Sequence, residues 1–290
     1  MRTLVFGRTG QLARELARAD AAGLQLEFLG REAVDLAQPE TAAEAVRTHR
    51  PELVVIAAAY TAVDRAETEE VLARQVNGAA PRLIAQACAE VGSAVVHVST
   101  DYVFDGSKAG AYLETDQTQP LGAYGRTKLE GETGVLEAGA AAAVVRTAWV
   151  YSPFGSNFPK TMLRLAGDRP ELRVVADQVG APTAAGDLAG AILALGRRLA
   201  AREPGTQGVF HYAGEGRASW AEFAEAVMAG AAARGRPAVP VLPITTAEYP
   251  TPARRPANSE LSCGRIAAMG ILPRPWREAL EPVLDELTAS

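Results

Sequence analysis

The strongest constraint on this chain is a regular alternation of short apolar runs with longer helical stretches. Residues 4–6, 26–29, 53–57, 94–98 and 143–147 are rich in β-branched side chains and apolar at consecutive positions. That is the pattern of strands covered by helices on both faces. Between them, Gln11–Arg18 and residues 39–48, 66–91 and 124–136 carry helical periodicity. Alternation of this kind implies βαβ units with right-handed crossovers. The expected fold class is therefore α/β, a Rossmann doubly wound parallel sheet.

After Trp149 the rhythm changes. Proline and glycine become frequent, and strands at 173–176 and 209–212 alternate irregularly with helices. Ser219 and Glu222 form a capping-box pattern opening a helix toward Arg234. The proline-rich stretch 237–259 reads as an ordered loop. We expect a first domain over residues 1–150, with added segments from about 177–205, and a smaller C-terminal α/β substrate-binding domain over 151–290.

With 290 residues, 48% of them hydrophobic, the chain has ample material for a large core. A net charge of −5 argues against nucleic acid or an anionic membrane as partner. The two cysteines, Cys88 and Cys263, and the scattered His49, His97 and His211 show no metal-ligand spacing and no disulfide framework. Cys88 reads as a small core residue, and His97, in mid-strand, as a satisfied core imidazole. No apolar run reaches the roughly 18 residues that span a bilayer. The first run reads as a strand instead of a leader, so a cytoplasmic location is expected.

Three stretches bear on chemistry. The first turn, G-R-T-G-Q-L-A, follows a strand and opens a helix, the context a dinucleotide site requires. Gly7 permits a tight turn, Gly10 lets a pyrophosphate approach the helix N-terminus, and Ala13 takes the third small position. Two glycines at such a turn also serve backbone conformation alone. After the second strand, Arg31 stands where a 2′-phosphate needs a cation, which tilts the expectation toward NADPH; an exposed loop charge is the alternative. Asp35 and Leu36 follow, beside the place of an adenine.

The second stretch, Y-G-R-T-K, puts Tyr124 and Lys128 one helical turn apart on the same face. An ammonium beside a phenol is expected to lower the Tyr124 pKa and make it a proton donor to a ketone. The third, S-T-D-Y-V-F-D-G over residues 99–106, ends the fourth strand in hydroxyls. Open α/β sheets bind ligands in the crevice at such strand ends. The order of the three stretches brings Thr100, Tyr124 and Lys128 to one crevice.

With these motifs the chain resembles the short-chain dehydrogenase/reductase superfamily in its extended form, and within it the reductases of dTDP-linked keto sugars. The resemblance also rests on A-A-Y-T-A-V-D-R-A-E, Y-G-R-T-K-L-E-G-E, R-T-A-W-V-Y, N-F-P-K-T-M, D-Q-V-G-A-P-T and T-P-A-R-R-P-A-N-S, and covers nearly the whole length. It implies NADPH or NADH as cofactor and reduction of the C4 ketone of a dTDP-linked 6-deoxy-4-keto-hexose. Gly10, Gln11 and Leu12 would contact the pyrophosphate, with Ala59, Tyr60 and Thr61 along the third-strand exit. Tyr124 would donate the proton, and Lys128 would tune it and bind the nicotinamide ribose. Thr100, Asp101 and Tyr102 would meet the sugar, with Val63 and Trp149 lining the same pocket. Asn157 and Arg254 would serve the substrate diphosphate.

Two positions depart from the pattern. Ala13 replaces a commoner glycine. Some relatives bind magnesium through glutamates at a dimer contact; Glu15 and Glu286 fit, but Gly186 stands where the third would be. Magnesium is therefore uncertain, and a monomer or homodimer is expected. A non-catalytic regulatory subunit, similar to the beta subunit of methionine adenosyltransferase, is the rival from another class. A different nucleotide-sugar 4-ketoreductase, or an epimerase or dehydratase on the same scaffold, is the third. For a dehydratase the acid–base pair is incomplete, since Asp101 is followed by Tyr102.

Overall fold

The structure, a computed structural model, describes residues 1–19 and 21–289. The first half contains β1 (Arg2–Phe6), α1 (Gln11–Arg18), β2 (Gln25–Leu29), α2 (Pro39–His49) and β3 (Leu53–Ile56). Next come α3 (Val63–Ala66), α4 (Glu70–Arg74), α5 (Ala80–Val91), β4 (Ala94–Thr100), α6 (Ala123–Leu136) and β5 (Ala141–Thr147). The rest has β6 (Val150–Tyr151), α7 (Phe158–Ala166), β7 (Leu172–Val175), β8 (Val179–Gly180), β9 (Thr183–Ala184) and α8 (Ala185–Ala200). It closes with β10 (Gly208–His211), β11 (Ala218–Ser219), α9 (Trp220–Ala233), β12 (Val241–Ile244), α10 (Gly264–Ala267) and α11 (Trp276–Thr288).

Six strands make one parallel sheet in the order β10-β5-β4-β3-β1-β2. Helices cover both faces. Leu12 and Leu16 of α1 and Leu188, Ile192 and Leu195 of α8 pack on one side. On the other, Val46 of α2, Ile84 and Cys88 of α5 and Val135 of α6 pack on Leu4, Val54, Val95 and Val144. This is the doubly wound α/β fold expected. Each fully buried aliphatic side chain contributes about 1.5–3 kcal/mol of burial, which makes the sheet a rigid platform for what stands at its edge.

Several expectations change in detail. Strand β2 is a sheet edge and only partly buried, because it has a neighbour on one side alone. The helix expected over 66–91 is not continuous. It is broken between α3 and α4, and residues Gln75–Ala79 form a π turn in which the Ala80 amide bonds to Gln75 O. Pro81 is the physical reason: a proline ring crowds the carbonyl four residues earlier, here that of Asn77, and the turn widens. The stretch 237–259 is not all loop, since β12 pairs in parallel with β7 within it. Late segments also return to the first sheet: α8 covers it and β10 is its sixth strand.

A second core gathers Tyr151, Met162, Phe223, Trp276, Leu280 and Leu284 from β6, α7, α9 and α11. Ser219 and Glu222 form the capping box at the start of α9, each satisfying the other's backbone amide. Among the described residues, no helix is long and apolar enough to cross a membrane.

Candidate active site

The chain reverses strand order between β1 and β3, and the crevice at such a switch point is where open α/β sheets take ligands. Gly7 ends β1 with φ at 122°. A Cβ there would lie 3.2 Å from the Ala58 amide beyond β3, so the missing side chain lets the two strand ends close. Gly10 is the N-cap of α1; no side chain caps this helix and no acid lies in its first turn. The space over Gly10 is open. Free amides at the positive end of a helix fit a phosphate. Leu12 points into the core, which leaves only its backbone to the turn. Gln11 Nε2 donates to Val150 O at 3.1 Å, and its Oε1 accepts from Asn157 at 3.3 Å.

Beside this turn opens a cleft of about 270 Å³ whose walls include Gly7, Arg31, Asp35, Leu36, Ala59 and Tyr60. Arg31, its side chain 80% exposed, donates to Asp35 at 3.2 Å. Its cation therefore sits at the cleft mouth, tethered but in water. Tyr60 is clamped from below: Asn77 Oδ1 accepts from the Tyr60 amide at 2.8 Å, and Asn77 Nδ2 donates to Tyr60 O at 3.1 Å. Thr61 is exposed beyond it. Reading 66–91 as one helix hid Asn77. The spacing of Pro81 four residues later is the signal that locates it.

At the end of β4, Thr100 Oγ1 donates to Asp101 Oδ1 at 3.0 Å and accepts from the Tyr102 amide at 3.2 Å. The chain then makes a single 3-10 turn at Asp101–Val103. Helix α6 lies across this turn with almost no gap: a Cβ on Gly125 would stand 2.1 Å from Tyr102 O. That close crossing sets Tyr124 edge-on to Tyr102, with ring centroids 5.4 Å apart. Lys128 is buried one turn along, donating to Val98 O at 2.7 Å and approaching His97 Nε2 at 3.3 Å.

The electrostatics differ from expectation. Burial pushes the Tyr124 phenol up to about 12, while the neighbouring Thr100 hydroxyl draws it back. Lys128 does not lower it, because its head is directed at Val98 O and His97. Burial instead brings Lys128 down to about 8, with Glu132 opposing. Asp101 is sealed off and pushed up to about 6 by burial, against the hydrogen bond from Thr100 and the nearby Ser259 hydroxyl. Nor is His97 a satisfied core imidazole: its Nδ1 has no partner among the described residues.

Around this centre, Trp149 holds a left-handed φ of 49°, a strained conformation for a bulky residue. Its ring stacks on Trp220 at 3.6 Å between centroids. Sequence reasoning missed Trp220, although it lies in the capping-box motif. Val63, half-buried, starts α3 beside Asp64, which takes a bidentate hydrogen bond from Arg255 at 3.0 and 2.8 Å. Of the basic pair Arg254-Arg255, which the sequence offers as a phosphate-binding spot, Arg255 is half-buried on Asp64 and Arg254 is exposed. Asn157 caps α7 and binds Ser152 O and Phe154 O, so its polar atoms are spent on the loop beside Gln11.

Glu15 and Glu286 both contact Arg18. It donates to Glu286 at 2.9 and 2.8 Å and lies 3.6 Å from Glu15, which also accepts from Ser152 at 2.7 Å. Gly186, beside Glu15, adds no carboxylate. Two acids already neutralised by a guanidinium do not fit a divalent cation. No cluster of three or more His, Cys, Asp or Glu placed for a metal occurs among the described residues.

A doubly wound sheet with a bare helix N-terminus at its switch point, and a Thr-Tyr-Lys set at the end of β4, defines a Rossmann-type protein of the short-chain dehydrogenase/reductase class. The family described as RmlD substrate binding domain matches residues 1–289. A dTDP-4-dehydrorhamnose reductase from Sinorhizobium fredii is 45% identical over 96% of this chain and 95% of its own. A probable dTDP-4,6-dihydroxy-2-methyloxan-3-one 4-ketoreductase from Streptomyces antibioticus is 42% identical over 100% and 97%. The crystal structure of dTDP-4-dehydrorhamnose reductase from Bacillus anthracis in complex with NADP superposes with a TM-score of 0.90 at 34% identity, covering 98% and 99%. The chain belongs to the dTDP-4-dehydrorhamnose reductase family.

Proposed function

We propose that the protein is an NAD(P)H-dependent reductase of dTDP-4-dehydro-6-deoxy-L-mannose, converting its C4 ketone to the alcohol of dTDP-L-rhamnose in the cytoplasm. The observation that carries this reading is the setting of Tyr124, edge-on to Tyr102 and beside Thr100 at the end of β4, with Lys128 buried a turn away. The amides of α1 and the open space over Gly10 would hold the cofactor pyrophosphate, and the Arg31 cleft its adenosine end. Held there, a nicotinamide would supply a hydride to C4 of the sugar. Tyr124, a full phenol at neutral pH, gives its proton to the forming alkoxide. Thr100 donates a hydrogen bond to the same oxygen. Orientation in the crevice and this stabilisation supply most of the rate gain.

Asp101, Tyr102, Val63 and Trp149 are assigned to the sugar. Arg254, free to turn, is assigned to the diphosphate, and Asn157 shapes the loop beside it. We keep the division into a cofactor part over 1–150, with later additions, and a substrate part over 151–290. Magnesium has no step in this scheme.

The test follows NADPH and NADH absorbance with dTDP-4-dehydro-L-rhamnose generated in place. Oxidation with dTDP-L-rhamnose as product is expected; cofactor binding without oxidation would favour the regulatory reading. Likeness to the Streptomyces 4-ketoreductase favours a second reading, reduction of a different dTDP-linked 4-keto sugar. A faster turnover of such a sugar would select it. Arg31→Ala is expected to weaken NADPH more than NADH; equal loss would remove Arg31 from the 2′-phosphate.

A further inference from the structure

Lys128 is surrounded by acceptors that decide where its three N–H bonds go. One goes to Val98 O at 2.7 Å, and a second meets His97 Nε2 at 3.3 Å. An ammonium has no lone pair to offer, so Nε2 must be the acceptor and the neutral imidazole must carry its proton on Nδ1. That Nδ1 is buried with no partner among the described residues. Leaving a donor unmatched in the interior is unfavourable, and the arrangement keeps it while giving the lysine its acceptor. From this geometry we propose that His97 is the positioning residue of the active site: as the Nδ1–H tautomer it takes one lysine N–H, fixes the Lys128 head and keeps it charged. The proposal rests on the reductase reading for its kinetic consequences.

The remaining groups around Lys128 do not replace this contact. On its own helix stand Tyr124 and Glu132, and Glu132 is occupied by Arg146 of β5 at 2.9 and 2.7 Å. Asp101 lies beyond β4, bonded to Thr100. Helix α4 offers Glu70 and Arg74, which are engaged with Arg126 and Glu130 on the outer side of α6. From α5, Arg82 packs over Gly134, further along. His97 is held away from protonation by burial and by the facing ammonium, so it stays an acceptor over the working range.

Long-range ¹H–¹⁵N NMR of the whole protein reads the tautomer, with the His97 signal identified by its loss in His97→Gln. The Nδ1–H form is expected; the Nε2–H form would overturn the proposal. This readout does not depend on turnover, so a protein inactive on the keto sugar would sink the reductase reading and leave the tautomer result standing. His97→Leu removes the acceptor, which disfavours the ammonium in a dry site. It is expected to lower kcat about tenfold and to move the alkaline limb of the pH profile down by about one unit. His97→Gln, whose carbonyl accepts, is expected to restore both. Wild-type kinetics in folded His97→Leu, or equal damage in both variants, would leave His97 a packing residue only. If His97→Leu fails to fold, the tautomer measured in the wild type decides.

Discussion

Asp101 carries a pH dependence with a definite sign. Its folded pKa of about 6 lies above the ordinary 3.8 because the carboxyl is shut away from water. The unfolded chain therefore loses this proton first, and stability falls as pH rises from about 4 through 6. At about 1.4 kcal/mol per pH unit, ionised Asp101 costs the fold roughly 3 kcal/mol above that window. Asp101→Asn is expected to flatten the window and to melt higher at pH 7.5 in calorimetry; an unchanged slope would place the charge elsewhere. Tyr124→Phe is expected to lower kcat by about 10²–10⁴-fold while cofactor affinity, measured by titration, stays within about threefold. Activity is expected to fall as pH rises through about 8, where Lys128 loses its proton. The gathering of Thr100, Tyr124 and Lys128 near the end of β4 was legible because their positions in the βαβ order place them there. The direction of the Tyr124 shift was not, since it depends on how deeply the phenol sits and where the lysine head points.

Among the elements, the π turn and the start of α9 show two ways local sequence sets geometry. Asn77→Ala removes both bonds that clamp Tyr60 and leaves its part-buried amide without that partner, a loss of about 1 kcal/mol. Cofactor affinity is expected to drop with stability, as titration and denaturant unfolding would show. Ser219→Ala is expected to cost about 1 kcal/mol through the lost cap, with kcat unchanged. The cap was readable from four residues. Strand and helix interiors such as β1 and α1 were also readable, since periodicity marks them. The π turn was not, because its residues keep helical spacing while a single proline, Pro81, changes the backbone hydrogen bonding.

Seen as a whole molecule, the protein ties its two cores together at the cofactor turn. Gln11 bonds Val150 O, Ser152 bonds Glu15, and Arg18 clasps Glu286 of the last helix. Because Arg18 already neutralises that acid pair, EDTA is expected to leave both activity and sedimentation unchanged; loss of either would restore a metal role. The return of α8 and β10 to the first sheet was only partly legible, since β10 is four residues long and nothing local says which edge it joins. The Trp149–Trp220 stack has an optical consequence. The chain holds three tryptophans, and two of them lie nearly parallel, 12° apart in plane, in van der Waals contact. Indole transitions at that spacing couple, so the far-ultraviolet circular dichroism is expected to carry an exciton couplet that Trp220→Phe would erase. With Trp149 assigned to the sugar in the proposed function, a ligand that moved its ring is expected to change the couplet's amplitude. The pocket thus carries its own label-free reporter.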